Sequence, residues 1–308
     1  MHSGSLKCRA YREGDEQAIL KVVNAGSEIG CSLDEWAWLF PPEEDGRAIV
    51  VGELDSEIVA VCAGAPVRVA VDGQEWAGVD LRQLVARDRD HEARVLDHFV
   101  HVFGSSGRFH IAIAPFHFDG AAGIGLKTLV RERPVGGTPR RYLYRAELAR
   151  DWEPRLDELW ERVRASYPVT VVRNADLVLR RFAAHPTVRH HRFLVFPRCS
   201  RQAAAFAVFG DHGSTCCWLD LVWDHEHPGA LDLLSHISRR LAVQWRSRDE
   251  RLWLAGDDVA WSMLTRRGFR PQASAQLAVS VRTLDPELDA EDIVARAYLT
   301  GANLGDIG

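Results

Sequence analysis

His117 and Asp119 stand two residues apart in the stretch Pro-Phe-His-Phe-Asp-Gly at 115–120, pairing a side chain that titrates near neutrality with a carboxylate. They follow the apolar run at 111–115, which reads as a strand, and strand ends in α/β units are where ligands tend to bind. Asp80, within Val79-Asp80-Leu81, is a second candidate base on a strand-like run that precedes a long helical pattern. In the second half of the chain Asp220, Asp224 and Glu226 crowd the matching place, and Asp257, Asp258 and Ser262 follow the next strand. His225 and His227 flank Glu226, and His98 and His101 stand about one helical turn apart. Zinc needs three or four converging ligands, and with no H-E-x-x-H and no paired C-x-x-C no metal is expected. A G-x-S-x-G elbow, a P-loop and a G-x-G-x-x-G after a first strand are also missing, which argues against hydrolase, nucleoside-triphosphate and dinucleotide chemistry. The cysteines (Cys8, Cys31, Cys62, Cys199, Cys216 and Cys217) are scattered, and their one adjacent pair cannot close an ordinary disulfide, so reduced thiols are expected.

Such side chains need a folded frame, and the composition provides for one. With 46% hydrophobic and 26% charged residues over 308 positions, the chain has the make-up of a soluble protein with a full core. Lys and Arg total 38 against 43 Asp and Glu, a formal charge of −5, with the two signs interleaved, so no nucleic-acid partner is expected. The longest apolar run, 58–67, is about half of what a bilayer-spanning helix needs, so no membrane span is expected. The first ten residues carry no segment of the kind a signal peptidase reads, which makes the cytoplasm the expected compartment.

Periodicity sets the elements. A helix carrying Ile19, Leu20, Val22 and Val23 is expected within 11–26 after an acidic turn, and another through Leu-Asp-Glu-Trp-Ala-Trp-Leu-Phe, stopped by Pro41-Pro42. Two strand-like runs meet at Asp55-Ser56, a hairpin signal, and a third strand ends in the turn Arg-Asp-Arg-Asp-His-Glu. Val95, Leu96, Phe99, Val100 and Phe103 then mark an amphipathic helix, followed by a strand, a short helix at 118–125 and further strands. From about Leu177 the order hairpin, strand, helix, strand, helix, strand returns. The distance from Asp80 to Gly125 is 125 − 80 = 45 positions and from Asp220 to Gly268 it is 268 − 220 = 48, as two copies of one unit would give. The expected domains are 1–150 and 151–308, with a linking helix at 151–168 and a tail at 285–308.

Three stretches, Tyr-Arg-Glu-Gly-Asp-Glu at 11–16 with the helix it opens, Val79-Asp80-Leu81 through Gly125-Leu126-Lys127, and 219–223 through the Gly268-Phe269 that ends a short helix, carry a resemblance to the GNAT N-acyltransferase superfamily. The tandem layout resembles that of mycothiol synthase and of two-domain acetyltransferases found near polysaccharide genes. The resemblance implies an α/β (α+β) fold of two tandem GNAT-like domains, each a mixed, mostly antiparallel sheet flanked by helices. It further implies an N-acyltransferase that uses acetyl-CoA or another acyl-CoA as co-substrate and acts on a primary amine of a small metabolite or amino sugar. In that family two central strands splay apart, the pantetheine arm pairs with the exposed backbone, and the diphosphate sits at the N-terminus of the next helix. Carried over by position, this places the co-substrate at Leu84, Val85, Arg87, Arg89 and Ala93 in the first half, and at Val222, Gly229 and Ala230 in the second. His117, Asp119, Asp80 and Glu226 are the candidate catalytic groups.

The family's diphosphate turn reads Gln or Arg, two residues, Gly, one residue, then Gly or Ala. At 87–93 this chain has no glycine and sets Asp88, Asp90 and Glu92 where phosphate would lie, and at 224–230 only Gly229-Ala230 match, behind further acidic residues. Two alternatives follow: a catalytically silent protein that binds another ligand or partner, or an acyltransferase that draws on a carrier-protein thioester, whose phosphopantetheine arm lacks the diphosphate. A homodimer is left open.

Overall fold

The computed structural model describes residues 5–25, 30–42, 47–132 and 143–303, with the backbone alone at 273–277. In chain order the elements are β1 (Lys7–Ala10), α1 (Glu16–Ala25), α2 (Leu33–Leu39), β2 (Ile49–Leu54), β3 (Glu57–Val71), β4 (Gln74–Ala86), α3 (Arg89–Phe99), β5 (Ile111–Ala114), β6 (Ala122–Glu132) and β7 (Tyr144–Leu148). They continue with α4 (Arg155–Val163), β8 (Val169–Val171), α5 (Ala175–Val178), β9 (His191–Pro197), β10 (Ala205–His212), β11 (Thr215–Trp223) and α6 (Pro228–Gln244). β12 (Asp249–Ala255), α7 (Asp258–Arg266), β13 (Arg270–Thr283), α8 (Ala290–Arg296) and β14 (Leu299–Thr300) close the chain.

Two compact units result. The first comprises Met1–Val69, Trp76–Ala122 and Ser280–Glu291, and the second Ala70–Glu75, Gly123–Val279 and Asp292–Gly308. The division therefore falls at 122/123, where a cut at 150 was expected, and it is not a single cut. Residues 280–283 at the end of β13 pair antiparallel with β5 in the first unit, and β6 pairs antiparallel with β12 in the second, so each unit takes a strand from the other half of the sequence.

In the first unit the strands run β1-β2-β3-β4-β5, with the end of β13 beyond β5. Both hairpin turns hold their central residues at positive φ, Asp55 at 51° and Ser56 at 69°, then Asp72 at 50° and Gly73 at 82°. That is the two-residue geometry whose twist suits antiparallel strands. α1 and α2 pack Ile19, Leu20, Val23, Trp36, Leu39 and Phe40 against Ile49, Val51, Val61 and Ala63. A separate cluster joins Val95, Leu96 and Phe99 of α3 to Val50, Ala60, Cys62, Val79, Leu81 and Ala112, as side chains on alternate positions of β2 and β3 require. Ser32 caps α2 by a reciprocal bond with Glu35.

The second unit repeats the plan, β9-β10-β11 as an antiparallel meander and β11-α6-β12 as a strand–helix–strand return into a parallel pair, with β7 outside β9 and β6 outside β12. One element departs from expectation. No helix forms at 118–125: the chain turns at Gly120, with φ at 72°, and β6 begins at Ala122. Gly120, Gly123 and Gly125 disfavour a helix, and the alternate burial of Ala122, Ile124 and Leu126 is the period of a strand.

Candidate functional site

In the first unit β4 and β5 are parallel neighbours only from Gly78–Asp80 against 111–113. β5 ends at Ala114, while β4 runs on to Ala86, so beyond Asp80 the two strands part. The backbone on the two sides of this point is out of phase. Ala77 turns its carbonyl to the β5 side, accepting from His110 N–H at 2.8 Å, whereas Arg87 turns its N–H to β3, donating to the Val59 carbonyl at 3.0 Å. Both are odd-numbered, so one extra residue must lie between them. Side chains agree: Val79 and Leu81 enter the α3 core, and so do Leu84 and Ala86. The bulge leaves the N–H and C=O groups of Leu84 and Ala86 on the edge that β5 has vacated. Among the described residues no hydrogen bond from outside β3 reaches the backbone of Leu84, Val85 or Ala86. An extended amide chain can pair along such an edge.

Asp80 sits where the strands part. It is buried on the face away from α3, and Arg82 Nε donates to its Oδ2 at 3.2 Å while Arg82 Nη1 reaches the Leu39 carbonyl at the end of α2 at 3.4 Å. Arg82 was not foreseen; two residues along one strand lie on the same face, which is the signal that could have found it. His117 and Asp119 lie in the turn after β5 with both side chains exposed, His117 four positions beyond Ile113, the residue paired with Asp80. Arg282 donates to the Asp119 carbonyl at 3.1 Å, and the buried Phe118 between them packs into the α3 core. Of the aromatic residues in this unit, Trp36 and Phe118 are core and Phe116 is half-buried, while the half-buried Trp76 packs on His110 at the other end of the β4–β5 pair.

The start of α3 is already occupied. The Asp88 side chain caps the helix, accepting the His91 N–H at 2.9 Å, and His91 Nδ1 lies 3.0 Å from its other oxygen. Arg87 and Glu57, both about half-exposed, pair at 3.1 Å, and hydrogen bonding to Arg87 and then Lys21 holds the Glu57 carboxyl below its usual range. Arg89 and Ala93 are exposed on the first turns. This strand edge is therefore open, but the helix terminus presents a carboxylate where the diphosphate implied by the resemblance would need free amides.

The second unit has the same divergence and a different outcome. β11 and β12 pair from Thr215–Trp218 against 249–252 and then separate. Into the gap comes β14, antiparallel to Leu254 and Ala255 of β12, and Gly301, where a Cβ would lie 3.2 Å from the carbonyl oxygens of Trp218 and Leu219. Tyr298 Oη donates to the Leu221 carbonyl at 2.6 Å. Tyr167 Oη donates to the Trp223 carbonyl at 2.8 Å and accepts the Trp223 N–H at 3.0 Å. Burial raises both phenols well above their ordinary range, so they remain donors at any physiological pH. Asp220, fully buried, is held by Arg173 Nε at 3.0 Å and by Thr300 Oγ1 at 2.8 Å, and Arg173 also donates to Asn303 Oδ1 at 3.0 Å. The strand edge that pantetheine would use is taken by the chain itself.

The remaining second-half candidates are scattered around the β11–α6 turn. Val222 and Ala230 are fully buried, Glu226 is exposed, and Gly229 lies beneath the Tyr144 ring, 2.4 Å from where a Cβ would sit. A cavity of about 570 Å³ beside them is lined by Tyr144, Asp232, Met263 and Arg266 among others, and Asp232 pairs with Arg267 at 2.5 Å. Asp257 caps α7, accepting from Ala260 N–H and from Trp223 Nε1, each at 2.8 Å, with His225 Nε2 at 3.5 Å. Among the described residues no group of His, Cys, Asp and Glu is arranged to hold a metal ion, and no helix is long and apolar enough to cross a membrane.

No protein-family model and no curated protein matches the sequence. Solved structures match the fold. A GCN5-related N-acetyltransferase from Anabaena variabilis superposes with a TM-score of 0.69 at 10% identity, over 91% of this chain and 73% of its own. A GCN5-related N-acetyltransferase from Kribbella flavida gives 0.66 at 15% identity, over 92% and 72%. N-myristoyltransferase of Saccharomyces cerevisiae, solved with bound myristoyl-CoA, gives 0.60 at 12% identity, over 99% and 89%. With its splayed parallel strands and helix-covered sheets, the chain has the two-domain GNAT fold of these N-acyltransferases.

Proposed function

We propose that the chain is an N-acyltransferase that takes its acyl group from a pantetheine thioester, acetyl-CoA foremost, and passes it to a primary amine of a small metabolite or amino sugar. The reaction is placed in the first unit. The observation that carries this is the contrast between the two strand divergences: the backbone edge at Leu84 and Ala86 is open, and the edge at Leu221 and Trp223 is filled by Tyr167, Tyr298 and β14. The fold shared with N-acyltransferases supports it. Asp80, at the mouth of the open divergence, is the group assigned to take the proton an ammonium must lose before its nitrogen can attack a thioester carbonyl, and Arg82 orients it. His117, exposed in the turn after β5, is the group assigned to return a proton to the departing thiolate.

The carboxylate cap of α3 favours a second reading of the donor, a carrier-protein thioester without a diphosphate. Calorimetric titration with acetyl-CoA tests the assignment. One site per chain is expected. Ala86→Pro should abolish binding, because it removes an N–H facing the gap without touching the bonds to β3. Retained binding by that variant would move the site away from β4. No binding at millimolar acetyl-CoA, together with no turnover of an acyl carrier thioester, would overturn the proposal.

A further inference from the structure

Among the described residues β7 has one strand neighbour, β9, with Tyr144 opposite Pro197 and Leu148 opposite Phe193. Two bonds fix which way its backbone faces. The Leu143 carbonyl accepts from Arg198 N–H at 2.9 Å, and Ala149 N–H donates to the Arg192 carbonyl at 2.8 Å. Odd-numbered positions therefore bond to β9, and Tyr144, Ala146 and Leu148 turn their N–H and C=O groups outward.

That outward edge is complementary to itself. A two-fold axis at Ala146 sets Ala146 against its copy, Tyr144 against Leu148 and Arg145 against Glu147. All three outward-facing residues then meet outward-facing residues, which allows about six backbone hydrogen bonds. Glu147 lies 3.2 Å from Arg145 and 2.7 Å from Arg155, and Arg145 also donates to the Pro197 and Ser200 carbonyls, yet Arg145 and Glu147 keep 38% and 39% of their side chains exposed, so both can also face the opposite charge on a second copy. Leu148, 62% exposed, would cover the half-buried Tyr144 of the facing strand. Slipping the register by one hydrogen-bonded step in either direction sets Arg145 against Arg145 or Glu147 against Glu147, and like charges directly opposite are destabilising. The sequence thus specifies one register and disfavours its neighbours.

We propose that β7 is a dimerisation edge whose occupant is β7 of a second copy of this chain, an isologous contact independent of the activity assigned to the first unit. Sedimentation equilibrium of the full chain across the micromolar range should show twice the chain mass. Ala146→Pro removes the central outward N–H while sparing the β9 ladder and should raise the dissociation constant by roughly tenfold or more. Arg145→Glu and Glu147→Arg should each weaken the dimer, and the double reversal, which restores opposite charges across the axis, should recover it. Should Ala146→Pro lose its native circular dichroism, Leu148→Lys, an exposed change, gives the same readout. A monomer at every concentration overturns the proposal. So does a dimer that Ala146→Pro or Leu148→Lys leaves unchanged in a folded protein, or one that the single and double charge reversals affect alike.

Discussion

Asp88 decides more about the donor than any other single side chain. A cap of this kind stabilises a helix by about 1 kcal/mol, and asparagine caps as well as aspartate. Asp88→Asn therefore leaves stability within about 0.5 kcal/mol while removing one negative charge from the place a diphosphate would approach. If acetyl-CoA lays its diphosphate on α3, the dissociation constant should fall about three- to tenfold in the variant. If acetyl-pantetheine binds as tightly as acetyl-CoA and neither responds, the diphosphate does not touch this helix. At this scale the sequence was legible for what its neighbours in the chain determine. The acidic turn leads into α3 as expected, but the cap is Asp88 and not Asp90, the carboxylate of that turn read from the sequence as the cap, while Asp80 is found on the strand where the pattern puts it. Asp220 was not legible. It stands in the same strand context as Asp80 but pairs with Arg173, 47 residues away, and no local pattern announces a partner brought in by the fold.

Among the elements, β6, β12 and α6 are tied by one buried ionic cluster. Arg131 Nε and Nη2 donate to the two oxygens of Glu250 at 2.9 and 2.5 Å, Nη1 donates to Ser235 Oγ at 2.8 Å, and both charged side chains are at most 4% exposed. Removing one partner leaves an unpaired charge in the core, which costs about 3–5 kcal/mol, whereas replacing both by apolar residues of similar volume is often neutral. Arg131→Met should thus lower the free energy of urea unfolding by about that amount, and Arg131→Met with Glu250→Leu should recover most of it. A double variant as unstable as the single one would mean that the surrounding Ser235 and Ser238 hydroxyls need the charge. Most elements could be read from periodicity because each buries one face. The region at 118–125 could not: a short helix was expected there, and the glycine spacing and alternate burial make it a turn and the start of β6.

For the whole molecule, the sequence reveals two similar halves but not the exchange of strands between them. β6 and β13 both alternate apolar and polar residues, and such a pattern says that a strand needs a sheet without saying which sheet. The consequence is open to test with fragments. Residues 1–150 would contain β5, whose four residues are all buried, without residues 280–283 that cover its edge, and would contain β6, with Ala122, Ile124, Leu126 and Leu129 buried in the native chain, without β12. Such a fragment exposes two apolar edges, so it should aggregate or lack a cooperative transition. A fragment of residues 1–122 joined through a flexible Gly/Ser linker to 278–291 restores the β5 neighbour and omits β6, and it should unfold cooperatively and keep the acetyl-CoA affinity assigned to the β4 edge. If residues 1–150 alone give a dispersed amide spectrum and a cooperative urea transition, β5 does not depend on β13, and the first half is a self-sufficient domain after all.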